Sequence, residues 1–310
     1  MIPAAFEYLR PRSLEEAVAC LLQREPGTAA ILAGGMSLIP AMKLRLARPA
    51  TLVDIVRLRG LAGIVRSAEH LRIGALTTHA ALGGAPELAR YPVFAETAGV
   101  VADPQIRHRG TLGGSLAYAH PAADWPAVFL ALQGEAQLFG PQGRRSVPAE
   151  DFFTGIFETT IGAGEILTEI RFPSVRERSG AAYSRMCLQA SGMALVGVAA
   201  QIMLDAEGRI DHASIGVTGV NAVPFRARSL EMRLRGVLPA AAALRDLCAT
   251  GIPEAEPLSD PHAAADYRLQ MLRIHAERAL GRAFERARAA VPGLGYSAPV
   301  TRDGEPVVRP

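Results

Sequence analysis

The sequence predicts an α+β chain of two domains, in which a mixed N-terminal domain precedes a smaller antiparallel sheet with helices. A strand, a glycine turn, a helix and a second strand lie near the start, and short strands separated by Gly/Pro turns follow as far as residue 172. Long strands and one long helix occupy the last third. With 310 residues, of which 49% are hydrophobic, the chain can bury more than one core.

The first elements have the pattern of a small parallel unit. A helix is predicted over residues 13 to 25, because Ser13 can cap it and Glu16 can complete a capping box. A strand over residues 29 to 33 stops at a glycine pair, a short helix follows, and a second strand covers residues 51 to 55. Two strands joined through a helix favour parallel pairing.

The middle of the chain predicts short strands and two helices. The strands include residues 71 to 73, 136 to 139 and 166 to 172, and the helices cover residues 92 to 101 and 125 to 133. Further on, strands over residues 193 to 204 and 214 to 220, with a turn at residues 205 to 208, predict an antiparallel sheet. A helix is predicted over residues 263 to 288.

The domain boundary is expected near Pro173, where a strand ends and a polar stretch begins. The division is residues 1 to 175, with subdomains of about 1 to 56 and 57 to 175, then residues 176 to 290, and a tail of residues 291 to 310. The tail is rich in Pro and Gly, and we expect it to need a partner surface to become ordered.

Composition argues against several classes of function. The net charge is +3, with 33 basic and 30 acidic residues and no basic run of five, so nucleic acid is not an expected partner. Apolar stretches fall short of the roughly 20 residues that cross a bilayer, and the N-terminus lacks an export signal. We therefore expect a cytoplasmic protein, and association with the inner face of the membrane stays open. The three cysteines have no ligand-like spacing, so no metal site is predicted.

Two glycine-rich segments are the candidate binding elements. The first glycine loop, residues 31 to 38, runs from a strand into a helix, where adjacent glycines let backbone amides converge on an anion. The second glycine loop, residues 109 to 115, has hydroxyl side chains beside its glycine pair and is followed by Asp124, whose spacing suits a sugar. The alternatives are a structural turn for the first loop and a helix N-cap for Asp124. Neither loop is a GxGxxG or GxxxxGK[ST] motif.

The residues around these loops resemble a known family. AGGMSLIPAMKLRL at 33 to 46 and IRHRGTLGGSLAYAHPAAD at 106 to 124 resemble the paired FAD motifs of the flavin-binding medium subunits of carbon monoxide dehydrogenases and their relatives, and the flavin domain of xanthine dehydrogenases is similar. The resemblance continues through EILTEIRFP, ASGMALVGVAA, GVTGVNAVPFRA and YRLQMLRIHAERAL, in order along nearly the whole chain. It implies a vanillyl-alcohol-oxidase-like (PCMH-type) FAD-binding domain of two subdomains, followed by the smaller C-terminal domain.

The resemblance also implies the cofactor-binding residues. The first loop would contact the flavin and diphosphate, the second loop the diphosphate, Asp124 the ribose, Val101 and Ala102 the adenine side, and Leu167 the isoalloxazine. The full set is Ala33, Gly34, Gly35, Met36, Ser37, Leu38, Val101, Ala102, Thr111, Leu112, Gly113, Gly114, Ser115, Asp124, Leu167 and Arg185. Many relatives have Gln or His where this chain has Met36, so backbone or thioether packing replaces a polar contact there. No histidine lies in the first loop, and we expect non-covalent FAD.

The implied function is electron transfer within a molybdenum hydroxylase. Substrate is oxidised at a molybdenum cofactor on a large subunit, and electrons pass through [2Fe-2S] clusters on a small subunit to FAD and then to an external acceptor. The assembly is expected to be a dimer of heterotrimers, and no catalytic side chain is assigned because the redox centre is FAD. A stand-alone FAD-dependent oxidase or dehydrogenase and a non-enzymatic nucleotide-binding scaffold are the alternatives.

Overall fold

The N-terminal elements of the computed structural model form a small parallel sheet with two helices. The model describes residues 1 to 189 and 192 to 290, so the tail predicted at residues 291 to 310 lies outside the described residues. The sheet has the order β1-β3-β2, with both pairs parallel; the sequence predicts the pairing of β2 with β3 but not the strand β1. The elements are β1 (Glu7–Leu9), α1 (Leu14–Leu22), β2 (Ala29–Leu32), α2 (Leu38–Lys43) and β3 (Thr51–Asp54).

The predicted cap of α1 is present in modified form. The Ser13 hydroxyl accepts a hydrogen bond from the Glu16 amide at 3.1 Å. The Glu16 carboxylate accepts from the amide of Arg12 at 2.7 Å, one residue earlier than a capping box requires. The helix ends at Leu22, three residues before the predicted end.

The middle part of the chain combines an antiparallel sheet with short helices. Its five strands have the order β4-β5-β10-β6-β7, and β8 and β9 form a separate hairpin. The elements are β4 (Ile64–Arg66), β5 (His70–Gly74), α3 (His79–Gly84), α4 (Pro92–Val100), α5 (Pro104–Arg107), α6 (Leu112–Tyr118), α7 (Asp124–Ala131), β6 (Glu135–Gly140), β7 (Gly143–Pro148), β8 (Phe153–Gly155), β9 (Glu158–Thr159) and β10 (Ile166–Pro173).

The C-terminal part is an antiparallel sheet covered on both faces. The strand order is β11-β12-β13-β14, which confirms the predicted fold class. The elements are β11 (Ser179–Met186), β12 (Val196–Leu204), β13 (Ile210–Thr218), β14 (Phe225–Arg226), α8 (Arg228–Leu234), α9 (Ala241–Ala249) and α10 (Ala265–Ala289).

Glycines allow two helices to lie directly on this sheet. A Cβ at Gly216 would lie 2.0 Å from the carbonyl oxygen of Ala127 in α7, and a Cβ at Gly180 would lie 2.2 Å from that of Ala283 in α10. Alternating residues of β11 and β12 divide between two cores, because Tyr183 belongs to the α7 side and Ala182 to the α10 side. The sheet is therefore buried on both faces.

Two predicted strands and the second glycine loop also differ from the observed structure. The strand predicted from residue 193 begins at Val196, because the Ala194 amide donates to the carbonyl of Ala122 instead of to a strand. The strand predicted to residue 220 ends at Thr218, because Gly219 turns with a φ of +79°. The second half of the second glycine loop is helical: its glycine pair, Gly113 and Gly114, lies in α6, which the sequence did not predict.

Candidate functional site

A cleft of about 790 Å³ lies between the parallel unit, the second glycine loop and the segment at residues 192 and 193. This volume is in the range of sites that hold a sizeable organic ligand. Most of the residues predicted to bind the cofactor line it. They are Ala33, Gly34, Gly35, Met36, Ser37, Leu38, Val101, Ala102, Gly113, Gly114, Ser115, Asp124 and Leu167.

The first glycine loop presents backbone donors to this cleft. Gly34 and Gly35 are buried, and Gly35 has a φ of +76°, a backbone conformation that favours glycine. Within the described part of the chain, none of the five amides from Gly34 to Leu38 has a hydrogen-bond acceptor, and the next amide, that of Ile39, donates to Gly35. Consecutive amides without acceptors at a cleft wall are suited to an anion, because a buried N–H group is costly to leave unpaired.

The second glycine loop uses its amides within the protein. The Leu112 and Gly113 amides donate to the carbonyls of Thr77 and Ala75, at 3.0 and 2.9 Å. Thr111 caps α6, since its hydroxyl accepts from the Gly114 amide at 3.1 Å and its carbonyl accepts from the Ser115 amide at 3.0 Å. The amides of residues 112 to 115, which were expected to hold a diphosphate, therefore already have acceptors. A contact from the Thr111 or Ser115 hydroxyl to a diphosphate stays a prediction.

The two loops interlock. A Cβ at Gly34 would lie 2.0 Å from the carbonyl oxygen of Arg109 and 3.0 Å from the Cα of Gly110. Only a residue without a side chain permits this approach, so Gly34 fixes the distance between the loops. The cleft wall beyond them includes Val101 and Ala102, whose carbonyls both accept from the Arg107 guanidinium at 3.0 Å.

Three predicted residues lie behind the cleft wall. Thr111 acts as the cap of α6, and Leu112, the first residue of that helix, is fully buried. Arg185 lies on β11 of the C-terminal sheet and pairs with Asp124 through contacts of 3.1 and 3.2 Å. Its side chain is 6% exposed, so this ion pair is buried.

Asp124 is held from the C-terminal sheet. It is the first residue of α7 and not its N-cap, which is Ala123, so the N-cap alternative is wrong. The Tyr183 hydroxyl donates to its carboxylate at 2.6 Å, in addition to the Arg185 contacts. Burial raises the pKa of Asp124, while the Arg185 charge and the hydrogen bonds oppose that effect. A carboxylate paired in this way has a fixed orientation at the cleft wall.

The segment before Asp124 is anchored in the same way. The Thr218 hydroxyl lies 2.7 Å from the carbonyl oxygen of Pro121 and 2.8 Å from that of Ala123. The Gly219 amide donates to Pro121 at 2.8 Å. The C-terminal sheet thus sets the position of a residue that belongs to the N-terminal half of the chain.

Sequence reasoning missed the roles of Tyr183, His79 and Trp125. His79 is 5% exposed and lines the cleft, and its Nδ1 accepts a hydrogen bond from the Trp125 indole at 3.0 Å. Burial, with a smaller contribution from Arg107, lowers the pKa of His79 to about 4. No local signal could identify these contacts, because each partner lies 46 or more residues away in the chain.

Metal chemistry has no candidate among the described residues. In residues 1 to 189 and 192 to 290, no group of three or more His, Cys, Asp or Glu side chains is arranged to hold a metal ion. Within the same ranges, no helix has the length and apolar character needed to span a membrane.

Comparisons with known proteins identify relatives over both halves of the chain. A family described as "FAD binding domain in molybdopterin dehydrogenase" matches residues 4 to 175. A family described as "CO dehydrogenase flavoprotein C-terminal domain" matches residues 181 to 283. These matches confirm the resemblance that the motifs predicted.

Individual relatives extend over nearly the full length. The carbon monoxide dehydrogenase medium chain of Hydrogenophaga pseudoflava is 39% identical over 287 residues, which cover 92% of this chain and 99% of that relative. The 6-hydroxypseudooxynicotine dehydrogenase complex subunit alpha of Paenarthrobacter nicotinovorans is 36% identical over 300 residues, covering 96% of this chain and 100% of that relative. A solved carbon monoxide dehydrogenase from Hydrogenophaga pseudoflava, which lacks the Mo-pyranopterin moiety, matches with a TM-score of 0.88 at 39% identity, over 92% of this chain and 99% of that one.

Proposed function

The chain belongs to the family of FAD-binding medium subunits of molybdopterin dehydrogenases, and we propose that its cleft holds FAD non-covalently, with the diphosphate at the first glycine loop. It is an oxidoreductase subunit. The single observation that supports this placement is the run of amides from Gly34 to Leu38, which have no acceptor within the described chain and line the cleft.

The residues present fit this cofactor. A diphosphate supplies anionic oxygens for converging amides, and the glycine pair keeps side chains out of the space between backbone and ligand. The cleft has more apolar than polar wall, which suits a flat aromatic ring system at one end and an adenine at the other. The second glycine loop supports the first from behind, and its Ser115 hydroxyl completes the diphosphate site.

Asp124 is assigned to the ribose. Its carboxylate lines the cleft and is oriented by Tyr183 and Arg185, so it is a fixed acceptor for sugar hydroxyls. Val101 and Ala102 are assigned to the adenine side and Leu167 to the isoalloxazine. Because Asp124 is held by the C-terminal sheet, both halves of the chain contribute to the affinity for FAD.

When bound, FAD supplies an acceptor of two electrons that can release them one at a time. The chain orients the cofactor, excludes water from its buried parts and surrounds it with fixed dipoles.

The molybdenum cofactor and the [2Fe-2S] clusters belong to a large and a small partner subunit. Electrons reach FAD from the small subunit and leave to an external acceptor, in a cytoplasmic dimer of heterotrimers. The domains are residues 1 to 175 and 176 to 290.

Cofactor analysis of the full chain, co-expressed with its partner subunits, tests this assignment. We expect about one FAD per medium subunit, released into the supernatant on acid precipitation because no covalent bond holds it. A purified complex without flavin would refute the proposed cofactor. A yellow precipitate would refute the non-covalent mode alone.

The subunit role has a separate test. The isolated full chain is expected to oxidise no aldehyde or N-heterocycle with a dye as acceptor, and activity should appear when the two partner subunits are added. If the isolated chain turned over such a substrate by itself, the stand-alone oxidase would be the correct interpretation. Sedimentation of the complex measures whether it is a dimer of heterotrimers.

A further inference from the structure

His79 is a buried polar side chain of the cleft wall, with one ring nitrogen hydrogen-bonded and the other without a partner in the described chain. Nδ1 accepts from the Trp125 indole at 3.0 Å, and the two rings stack with centroids 5.7 Å apart. Since Nδ1 is an acceptor, the ring proton of the neutral side chain is on Nε2. Trp125 therefore selects the tautomer and leaves Nε2–H as a donor.

The Nε2 proton has no acceptor within the described chain. Nε2 makes no hydrogen bond there. It is also not one of the fully buried side-chain atoms that lack a partner, so it keeps some accessible surface. His79 is nevertheless 95% buried, since only 5% of its surface is accessible, and that surface belongs to the cleft wall. Because buried polar groups are nearly always hydrogen-bonded, an oriented donor of this kind at a cleft wall is suited to a ligand acceptor.

The position of Nε2 relates it to the first glycine loop. A Cβ at Gly110 would lie 2.8 Å from Nε2, and a Cβ at Gly34 would lie 3.0 Å from the Cα of Gly110. His79, Gly110 and Gly34 are therefore successive neighbours in space. Gly110 therefore lies between the donor and the first glycine loop, and a side chain at either glycine would fill this space.

We infer that His79 binds the diphosphate of FAD, by donating a hydrogen bond from Nε2 to a phosphate oxygen, as a neutral imidazole fixed by Trp125. The inference rests on the proposed function, since it assumes FAD in this cleft. The surroundings of His79 suit an anion, because the positive charge of Arg107 is close enough to contribute to the lowered pKa of His79. A neutral donor adds a hydrogen bond without the cost of burying a further charge.

Two amide variants of His79 distinguish its hydrogen-bond donation to the ligand from its packing against Trp125. His79→Asn places an acceptor near the position of Nδ1, so it can still pair with Trp125, but it has no donor at the position of Nε2. His79→Gln places an amide nitrogen near the position of Nε2. In the co-expressed complex, we expect FAD affinity to fall roughly tenfold in the Asn variant, the loss of one hydrogen bond to a charged group, and to stay within about threefold of wild type in the Gln variant.

The readouts are flavin fluorescence titration, ADP binding by calorimetry and ³¹P NMR of the bound diphosphate. ADP carries the diphosphate without the flavin, so its affinity should fall in the Asn variant by a similar factor to that of FAD. The ³¹P resonances should shift in the Asn variant and return toward the wild-type positions in the Gln variant.

Several outcomes would contradict the inference. Unchanged FAD affinity in His79→Asn, with FAD bound normally by wild type, would overturn this inference and leave the proposed function intact. Equal losses in both variants, with a lowered Tm in each, would assign His79 a packing role. If ADP affinity and the ³¹P shifts were unchanged in His79→Asn, His79 would not contact the diphosphate and the inference would be wrong. A wild-type complex that binds neither FAD nor ADP would overturn both proposals.

Discussion

The two glycine loops look alike in sequence, each with a Gly-Gly pair and a serine one or two residues later, yet their backbones do different work. In the first loop the amides of residues 34 to 38 have no acceptor in the described chain and line the cleft. In the second loop the amides of residues 112 to 115 all donate to the protein. The amides of the first loop are therefore free to bind a ligand, whereas those of the second stabilise packing, and glycine serves both loops because it removes a side chain in each case.

The contact between the loops explains why both are needed. Gly34 lies against the backbone at Arg109, and Gly113 lies against Ala75, where a Cβ would come within 2.5 Å of the alanine Cβ. The second loop is thus fixed to the sheet region on one side and to the first loop on the other. The donors of the first loop are held in place by the packing of the second.

The largest effect is expected for Gly34→Ala, which breaks this contact. The new Cβ would lie 2.0 Å from a backbone oxygen, so the loops must separate. We expect loss of at least about 3 kcal/mol in the free energy of unfolding and FAD binding too weak to survive purification. Flavin content and urea unfolding of the complex measure both. The control is Gly99→Ala, where a Cβ meets nothing within 4 Å. Equal behaviour of the two variants would contradict the interlocked geometry.

Gly113→Ala should produce the next largest effect, chiefly on stability. Its Cβ would overlap Ala75, including the backbone at 2.8 Å, and overpacking of this kind costs about 1 to 3 kcal/mol. Since its amide already has an acceptor, the variant that remains folded should bind FAD with an affinity close to that of wild type. Urea unfolding and fluorescence titration separate the two quantities. Gly84→Ala, with open space around the new Cβ, is the matched control. A large loss of affinity without a loss of stability would assign Gly113 to the ligand.

Much of this comparison could be predicted from the sequence, but not all of it. The parallel unit and the first loop were readable, because a buried strand, a glycine pair and a helix follow each other within a few residues. The helix of the second loop was not, because two adjacent glycines disfavour a helix and only tertiary packing against Ala75 overrides that preference. The one local signal for this helix was Thr111, a residue type that favours the N-cap position, whose hydroxyl accepts from the Gly114 amide three residues later.

The contacts of Asp124 lay beyond sequence reasoning. Its spacing from the second loop marked it as a site residue, but its partners Tyr183 and Arg185 are 59 and 61 residues away on another sheet. Pairings over such distances depend on the fold and not on a local pattern. The fold class and the family were confirmed, whereas the cofactor contacts of individual residues stay predictions.

A smaller effect is expected for Thr111→Ala, which tests the structural nature of the second loop. Loss of the bond from the Gly114 amide should cost about 1 kcal/mol in the free energy of unfolding, the usual value for an N-cap. The affinity for FAD should change by less than about threefold, because Thr111 does not line the cleft. Thr78→Ala removes the equivalent cap of α3, where the hydroxyl accepts from the Ala81 amide, and should cost a similar amount. A much larger affinity loss in Thr111→Ala would show that its hydroxyl contacts the cofactor.

Ser37→Ala is expected to have the smallest effect on stability. Unlike Thr111→Ala, it should lower the affinity for FAD and not the free energy of unfolding. The Ser37 side chain makes no cap bond to α2 and lines the cleft, so its hydroxyl is available to a phosphate oxygen. The free energy of unfolding should stay within about 0.5 kcal/mol of wild type, while FAD affinity falls about threefold to tenfold. Measurement of both variants in the same complex compares the two loops directly, because the Thr111 hydroxyl is expected to stabilise a helix and the Ser37 hydroxyl to bind a ligand. If Ser37→Ala lowered the Tm as much as Thr111→Ala and left FAD affinity unchanged, the first loop would be a packing element like the second.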